Sequence, residues 1–290
     1  MELQELIQTV QQFELLCQRL TQQPLAGLFN SSFKGRGWSI DHIRKYEVGD
    51  NIKDIEWNVT ARFRETYVKT FTQEKERLVW ILVDVSRSML PAAPGQGKGK
   101  YEVALEISAA LAFSAIESQD RVGVVFFSDR VEHVVPAARG KVHFWRIAKE
   151  LVAARPLSRG TSVAAALQFL VSSHAKSSVV FLVSDFVSDD YATASQVLAQ
   201  QHELLAVRVV EEREAEVPRL GWVQLRDAES GRTRWQNTSR SGFRQQLAQH
   251  QGQVASRFEA AYGPTAVRSL AVGTGGKHLE ALVGFLQHAK

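Results

Sequence analysis

A single cysteine, Cys17, in 290 residues excludes an intrachain disulfide and any thiolate-rich zinc or iron–sulfur site. Long apolar runs are missing too. The longest, such as residues 78–85, are strand-sized, and Met1-Glu2-Leu3-Gln4-Glu5 lacks the basic flank of a secretory signal, so no membrane span and a cytoplasmic location are expected. No Gly-x-x-x-x-Gly-Lys-Ser/Thr phosphate loop occurs, since Gly95-Gln96-Gly97-Lys98-Gly99-Lys100 misses the spacing. The Gly-x-Ser-x-Gly elbow and the His-Glu-x-x-His zinc signature are also absent, and His133 and His143 have no ligand-like context. Neither sign of charge dominates. Thirty-five Lys and Arg against thirty-one Asp and Glu give +4, a mild bias that predicts no nucleic-acid binding. Arg232, Arg234, Arg240 and Arg244 flank Trp235 without a recognised nucleic-acid motif and read as a solvated face.

What remains is a chain with enough apolar residues, 44%, to bury a substantial core. Residues 2–22 carry Leu3, Leu6, Ile7, Val10, Phe13, Leu16 and Leu20 at helical spacing, and Pro24 and Gly27 end that helix. From 33 to 77, glycine turns separate short aromatic and β-branched pieces, predicting strands and loops. Residues 1–77 are therefore expected to form an accessory region, with Arg62 pairing Asp50 or Asp54. Beyond it, apolar runs at 78–83, 122–127, 179–183, 204–210 and 267–272 alternate with helical stretches at 101–118, 142–154, 163–173, 191–200 and 277–287. That alternation predicts an α/β fold, a doubly wound, mostly parallel sheet flanked by helices over 78–290. Residues 131–135 fit an antiparallel edge, 242–262 a longer helix, and 218–238 a hairpin insertion. Residues 91–100 read as a flexible loop.

Ligands of such sheets bind beyond the carboxyl ends of the strands. The first run ends in Asp84-Val85-Ser86-Arg87-Ser88, the run at 179–183 ends in Ser184-Asp185, and Arg159-Gly160-Thr161-Ser162 precedes a helix. These donors are all oxygens with few carboxylates, a set that suits Mg²⁺ or Mn²⁺ rather than a softer metal. Ser86 and Ser88 would ligate directly, and Asp84, Thr161 and Asp185 directly or through water. Such a shell leaves the ion under-neutralised, so that a partner's carboxylate could complete it. Helix capping by the same Asp and Ser residues is the plainer alternative, and the ordered recurrence at three strand and helix ends favours the site over it.

In this order, Asp84-x-Ser86-x-Ser88, Thr161 and Asp185 resemble the metal-ion-dependent adhesion site (MIDAS) of von Willebrand factor type A domains. Phe33-Lys34-Gly35-Arg36-Gly37, Ile43-Arg44-Lys45-Tyr46-Glu47-Val48-Gly49-Asp50, Asp54-Ile55-Glu56-Trp57-Asn58-Val59-Thr60-Ala61-Arg62 and Val68-Lys69 followed by Glu74 resemble the signature of the domain of unknown function 58 family. Asp120-Arg121-Val122-Gly123, Phe127-Ser128-Asp129 and Ser184-Asp185-Phe186 are similar to it as well. The resemblance implies a soluble bacterial protein, commonly encoded beside a MoxR-type AAA+ ATPase and acting with it in complex assembly, maturation or stress responses. Many relatives carry amino-terminal membrane spans, and this chain resembles the shorter soluble branch. Glu56 stands where the family pattern usually has Asp, and the 91–100 loop is richer in Pro, Gly and Lys than usual.

The sequence thus leads to a non-enzymatic, metal-dependent interaction module. The alternative is a Mg²⁺-dependent aspartyl phosphotransferase with Asp84 as nucleophile, weakened by Ser86 where such enzymes carry a second acid.

Overall fold

The computed structural model describes residues 2–21, 39–63, 65–72, 77–90, 98–155, 158, 160–173, 177–188, 191–211, 219–226, 233–263 and 267–287. Pro24, Gly27, residues 33–37, Glu74, residues 91–97, Arg159 and Arg232, singled out in the sequence, lie outside them. The chain divides into two units, one of Phe33–Arg77 and one of Met1–Ser32 with Leu78–Lys290. The larger unit opens with helix α1 (Leu3–Thr21). Its Leu6, Val10 and Phe13 are buried in the same core as helices further along the chain. The expectation that residues 1–77 form one accessory region is therefore corrected at this helix. The i, i+4, i+7 stripe found in the sequence is real, but the surface that covers it belongs to the larger unit.

The smaller unit pairs β1 (Ser39–Lys45) antiparallel with β2 (Tyr67–Thr72), and the connection carries a 3-10 turn at Ile52–Asp54 and helix α2 (Trp57–Phe63). Arg44 forks onto the Asp50 carboxylate at 2.9 and 2.7 Å, and the same carboxylate accepts from the Glu47 amide at 2.9 Å. This closes the turn at Gly49, whose φ of +115° suits glycine. Arg44 thus supplies the partner that the sequence had assigned to Arg62. Lys69 pairs with Glu56 across the unit.

In the larger unit, β3 (Leu78–Asp84), β4 (Arg121–Phe127), β5 (Val131–Ala138), β6 (Val179–Ser184), β7 (Glu203–Val210) and β10 (Arg268–Gly273) form one sheet in the order β10-β7-β6-β3-β4-β5. Every neighbouring pair is parallel except β4 with β5, the antiparallel edge expected from residues 131–135. A separate hairpin joins β8 (Trp222–Arg226) to β9 (Thr233–Asn237), within the insertion anticipated at 218–238. The helices are α3 (Lys100–Glu117), α4 (Lys141–Ala153), α5 (Val163–Ser172), α6 (Tyr191–Ala199), α7 (Ser241–Tyr262) and α8 (His278–Gln287).

The central strands are apolar throughout because both faces are covered. Val79, Ile81 and Val83 of β3 face one core with α1, α3, α4 and α8, while Leu82 faces a second core with α5, α6 and α7. Between the helices of the first core lies a buried charge. Glu106 of α3 accepts from Thr9 of α1 at 3.2 Å, meets Lys98 at 2.5 Å and lies 2.7 Å from Nε2 of His278 on α8. Burial works against the Glu106 charge, yet the hydrogen bonds from His278 and Lys98 outweigh it and hold the carboxyl below its usual range.

Trp80 of β3 lies opposite Gly123 of β4, and a Cβ on Gly123 would run into the Trp80 ring. Glycine at 123 is thus a packing requirement within two central strands. Gly123→Ala is expected to cost about 1–3 kcal/mol in urea denaturation, and shrinking the indole as well, with Trp80→Leu, is expected to recover part of that loss. A neutral Gly123→Ala would show that the two strands separate to admit the methyl.

Candidate functional site

The chain runs from β3 through α3 to β4 on one side, and later returns on the other side of β3 to form β6. The connections from β3 and β6 therefore leave in opposite directions and open a crevice at their carboxyl ends, the usual ligand position in such sheets. Asp84 is the last residue of β3, and Asp185 follows directly after β6. Both are deeply buried, at 0% and 3% exposure.

Each carboxylate is fixed by its neighbours. The Ser86 amide donates to Oδ1 of Asp84 at 2.8 Å, and the Ser184 hydroxyl donates to Oδ2 at 2.5 Å. Beyond Ser86 the chain enters a 3-10 turn, Arg87–Met89, which brings the hydroxyls of Ser86 and Ser88 to 2.9 Å from each other. Oδ1 of Asp185 accepts from the Val187 amide at 3.3 Å, and Oδ2 accepts from the Lys100 ammonium at 3.0 Å. The turn after Asp185 depends on Phe186, which has a φ of 57°. A left-handed phenylalanine is strained. Its ring packs against Phe258, Tyr191 and Tyr262 at centroid distances of 4.8, 5.2 and 5.8 Å, which holds the conformation in place.

Thr161 is half-buried just before α5. The next amide, of Ser162, donates to the Ser128 carbonyl beyond β4 at 2.8 Å, and the Val163 amide donates to the Ser188 hydroxyl beyond β6 at 3.4 Å. The segment carrying Thr161 is thereby tied to the ends of the strands on either side of β3. Of the five anticipated residues, Asp84, Ser86 and Ser88 are linked by hydrogen bonds, and the charge of Asp185 is felt at Asp84. Thr161 stands at the same end of the sheet.

Burial, followed by the neighbouring Asp185 charge, pushes the Asp84 carboxyl up to about 7, against the hydrogen bonds from Ser184 and Ser86 that favour its ionised form. A site that makes its own carboxylate hard to ionise has room for more positive charge. The donors gathered here are carboxylate and hydroxyl oxygens, which match a hard divalent cation. Among the described residues no group of three or more His, Cys, Asp or Glu is placed to hold a metal, so hydroxyls would have to complete such a shell.

Two contributors went unrecognised in the sequence. Ser184 was visible only as the residue before Asp185, yet its hydroxyl bridges to a carboxylate 100 positions earlier. Lys100 sits at the end of a segment that reads as a solvated loop, and its target is 85 residues away. Neither pairing leaves a local signal.

The family model described as "Protein of unknown function DUF58" matches residues 42–256. An uncharacterized protein of Mycobacterium tuberculosis is 27% identical over 237 residues, covering 79% of this chain and 74% of the relative. Among solved structures, the conserved hypothetical protein BatB from Bacteroides thetaiotaomicron is similar at 14% identity and a TM-score of 0.47, covering 73% of this chain and 98% of that one. The SpRpn10 VWA domain is similar at 14% identity and a TM-score of 0.43, covering 71% and 93%.

The Asp84 environment gives a signed pH dependence. In chelator, the folded protein keeps the Asp84 proton to about pH 7, whereas the unfolded chain releases it near 3.8. The folded state binds more protons between these values, so this group's contribution to stability falls as pH rises from about 4 to about 7. Asp84→Asn is expected to exceed the wild type at pH 8 by on the order of a few kcal/mol, with no such advantage at pH 4. Denaturant midpoints at the two pH values check this, and an equal gap at both would assign the effect to packing instead.

Proposed function

Because the chain belongs to the DUF58 family of proteins of unknown function, we propose that it is a non-catalytic, metal-dependent protein–protein interaction module of the von Willebrand factor A type. Asp84, Ser86, Ser88, Thr161 and Asp185 would hold Mg²⁺ or Mn²⁺ at the crevice between β3 and β6. The bound ion would supply an open coordination position for a carboxylate from a protein partner. The protein's own part is to orient oxygens. Ser184 and the Ser86 amide fix the Asp84 carboxylate, and the Phe186 turn fixes Asp185. The observation that carries the proposal is the meeting of two buried carboxylates with paired serine hydroxyls at the switch point of the sheet.

The partner we propose is a MoxR-type AAA+ ATPase, with this chain as its adaptor or co-chaperone in complex assembly or maturation. Among the described residues no helix is long and apolar enough to cross a membrane, and a cytoplasmic setting accords with such a partner. Phosphotransfer through Asp84 has weaker support. Ser86 stands where such an enzyme would carry a second acid, and its hydroxyl is paired with that of Ser88.

Saturating Mg²⁺ or Mn²⁺ is expected to raise the melting temperature of the purified protein by about 5–10 °C, and Asp84→Ala is expected to remove that shift while the metal-free protein still folds. Capture of a MoxR-type ATPase on the immobilised protein with metal, and its loss in chelator, would support the adaptor role. Equal capture under both conditions would remove the metal from the interaction, and a phosphoaspartate at Asp84 would favour the enzyme.

A further inference from the structure

Lys100 is the first residue of α3 and is 5% exposed. Its ammonium lies 3.0 Å from Oδ2 of Asp185, whose side chain is itself 3% exposed. A lysine placed this deep is costly unless it meets an opposite charge. Here it meets the one carboxylate that also bears on Asp84. Asp185 is a proposed metal ligand, so the ammonium and a divalent cation would draw on the same carboxylate.

We propose that Lys100 is a tethered counter-ion of the site, which neutralises Asp185 in the metal-free protein and competes with the divalent cation for it. The inference rests on the metal-binding function proposed above and adds a control on it. With both carboxylates ionised, Asp84, Asp185 and Lys100 leave one net negative charge. A divalent cation converts this to one net positive charge, whereas without Lys100 the loaded site would be neutral. Lys100 therefore weakens metal binding and, once metal is held, leaves the surplus positive charge that an acidic ligand would balance. Its place at the start of α3 is defined from the other side as well. The Gly99 amide donates to the Glu102 carboxylate at 3.1 Å, and Lys98 pairs with Glu106. The ammonium is thus delivered by a fixed helix start.

The test compares Mn²⁺ binding by calorimetry in the wild type, Lys100→Met and Lys100→Arg, with metal-free melting temperatures alongside. Lys100→Met removes the charge and keeps much of the bulk, so it is expected to bind Mn²⁺ about tenfold tighter, and to melt lower than the wild type in chelator because Asp185 has lost its partner. Lys100→Arg keeps the charge and is expected to bind as the wild type does. If Lys100→Met binds Mn²⁺ no tighter while the wild type binds it, Lys100 is a structural ion pair and the competition is overturned with the metal site intact. Tighter binding by Lys100→Arg as well would overturn it too, because charge would not be the cause. Absence of Mn²⁺ binding in all three proteins would retire the metal site and this inference together.

Discussion

Two carboxylates buried beside each other where the sheet reverses its winding set the terms for everything around them. Asp84 and Asp185 are separated by 100 residues of chain and almost wholly removed from water. Such a pair is unfavourable unless positive charge or protons offset it, since the attraction of water for each carboxylate has been given up. Three local answers are visible: hydrogen bonds from the Ser86 amide and the Ser184 hydroxyl, the Lys100 ammonium, and the elevated proton affinity of Asp84. The proton affinity of Asp84 stays elevated despite the other two, so the crevice still has room for an additional cation.

The rest of the fold makes that arrangement sustainable. β3 and β6 are the central strands, paired on both edges and apolar on both faces, so their carboxyl ends are held in register without help from the site itself. The loop after β6 carries a backbone conformation that costs on the order of 1 kcal/mol for a residue other than glycine. Phe186 tolerates it because its ring is locked among Tyr191, Phe258 and Tyr262 on the α6 and α7 side. On the opposite side of the sheet, Glu106 gathers Thr9, Lys98 and His278, joining α1 and α8 to α3 and fixing the helix start from which Lys100 reaches the crevice.

The parts of this that the sequence disclosed are those in which neighbours in the chain are neighbours in space. Continuous apolar runs announced the five parallel strands, because a strand covered on both faces has no polar alternation to conceal it. Residues 131–135 gave away the antiparallel edge by being short. Asp84, Ser86 and Ser88 were legible because one turn of chain brings them together, and Asp185 because it ends an apolar run. What stayed hidden depends on tertiary pairing. The stripe on α1 showed that it has a buried face without showing which surface covers it. Gly123 read only as one residue of the apolar run 122–127 until Trp80 of the adjacent strand was placed opposite. The sequence pointed to Arg62 as the partner of Asp50 or Asp54, and the turn at Gly49 brings Arg44 to Asp50 instead.

A crevice that supplies its own ammonium and can hold its own proton differs in kind from a structural metal site, in which the unpaired ligands leave the apo chain unfolded. Asp84 and Asp185 are compensated within the chain, and the strands that carry them are buried without reference to any ion. Folding would therefore not require the metal, although a bound ion would still add to stability. A cation entering such a site would have to displace a proton or share a carboxylate with Lys100, so its affinity would be set by competition rather than by the number of oxygens alone. An outside carboxylate that restores neutrality would favour the loaded state by the same accounting. Metal and acidic ligand would then bind with positive coupling, each raising the affinity of the other by the same factor.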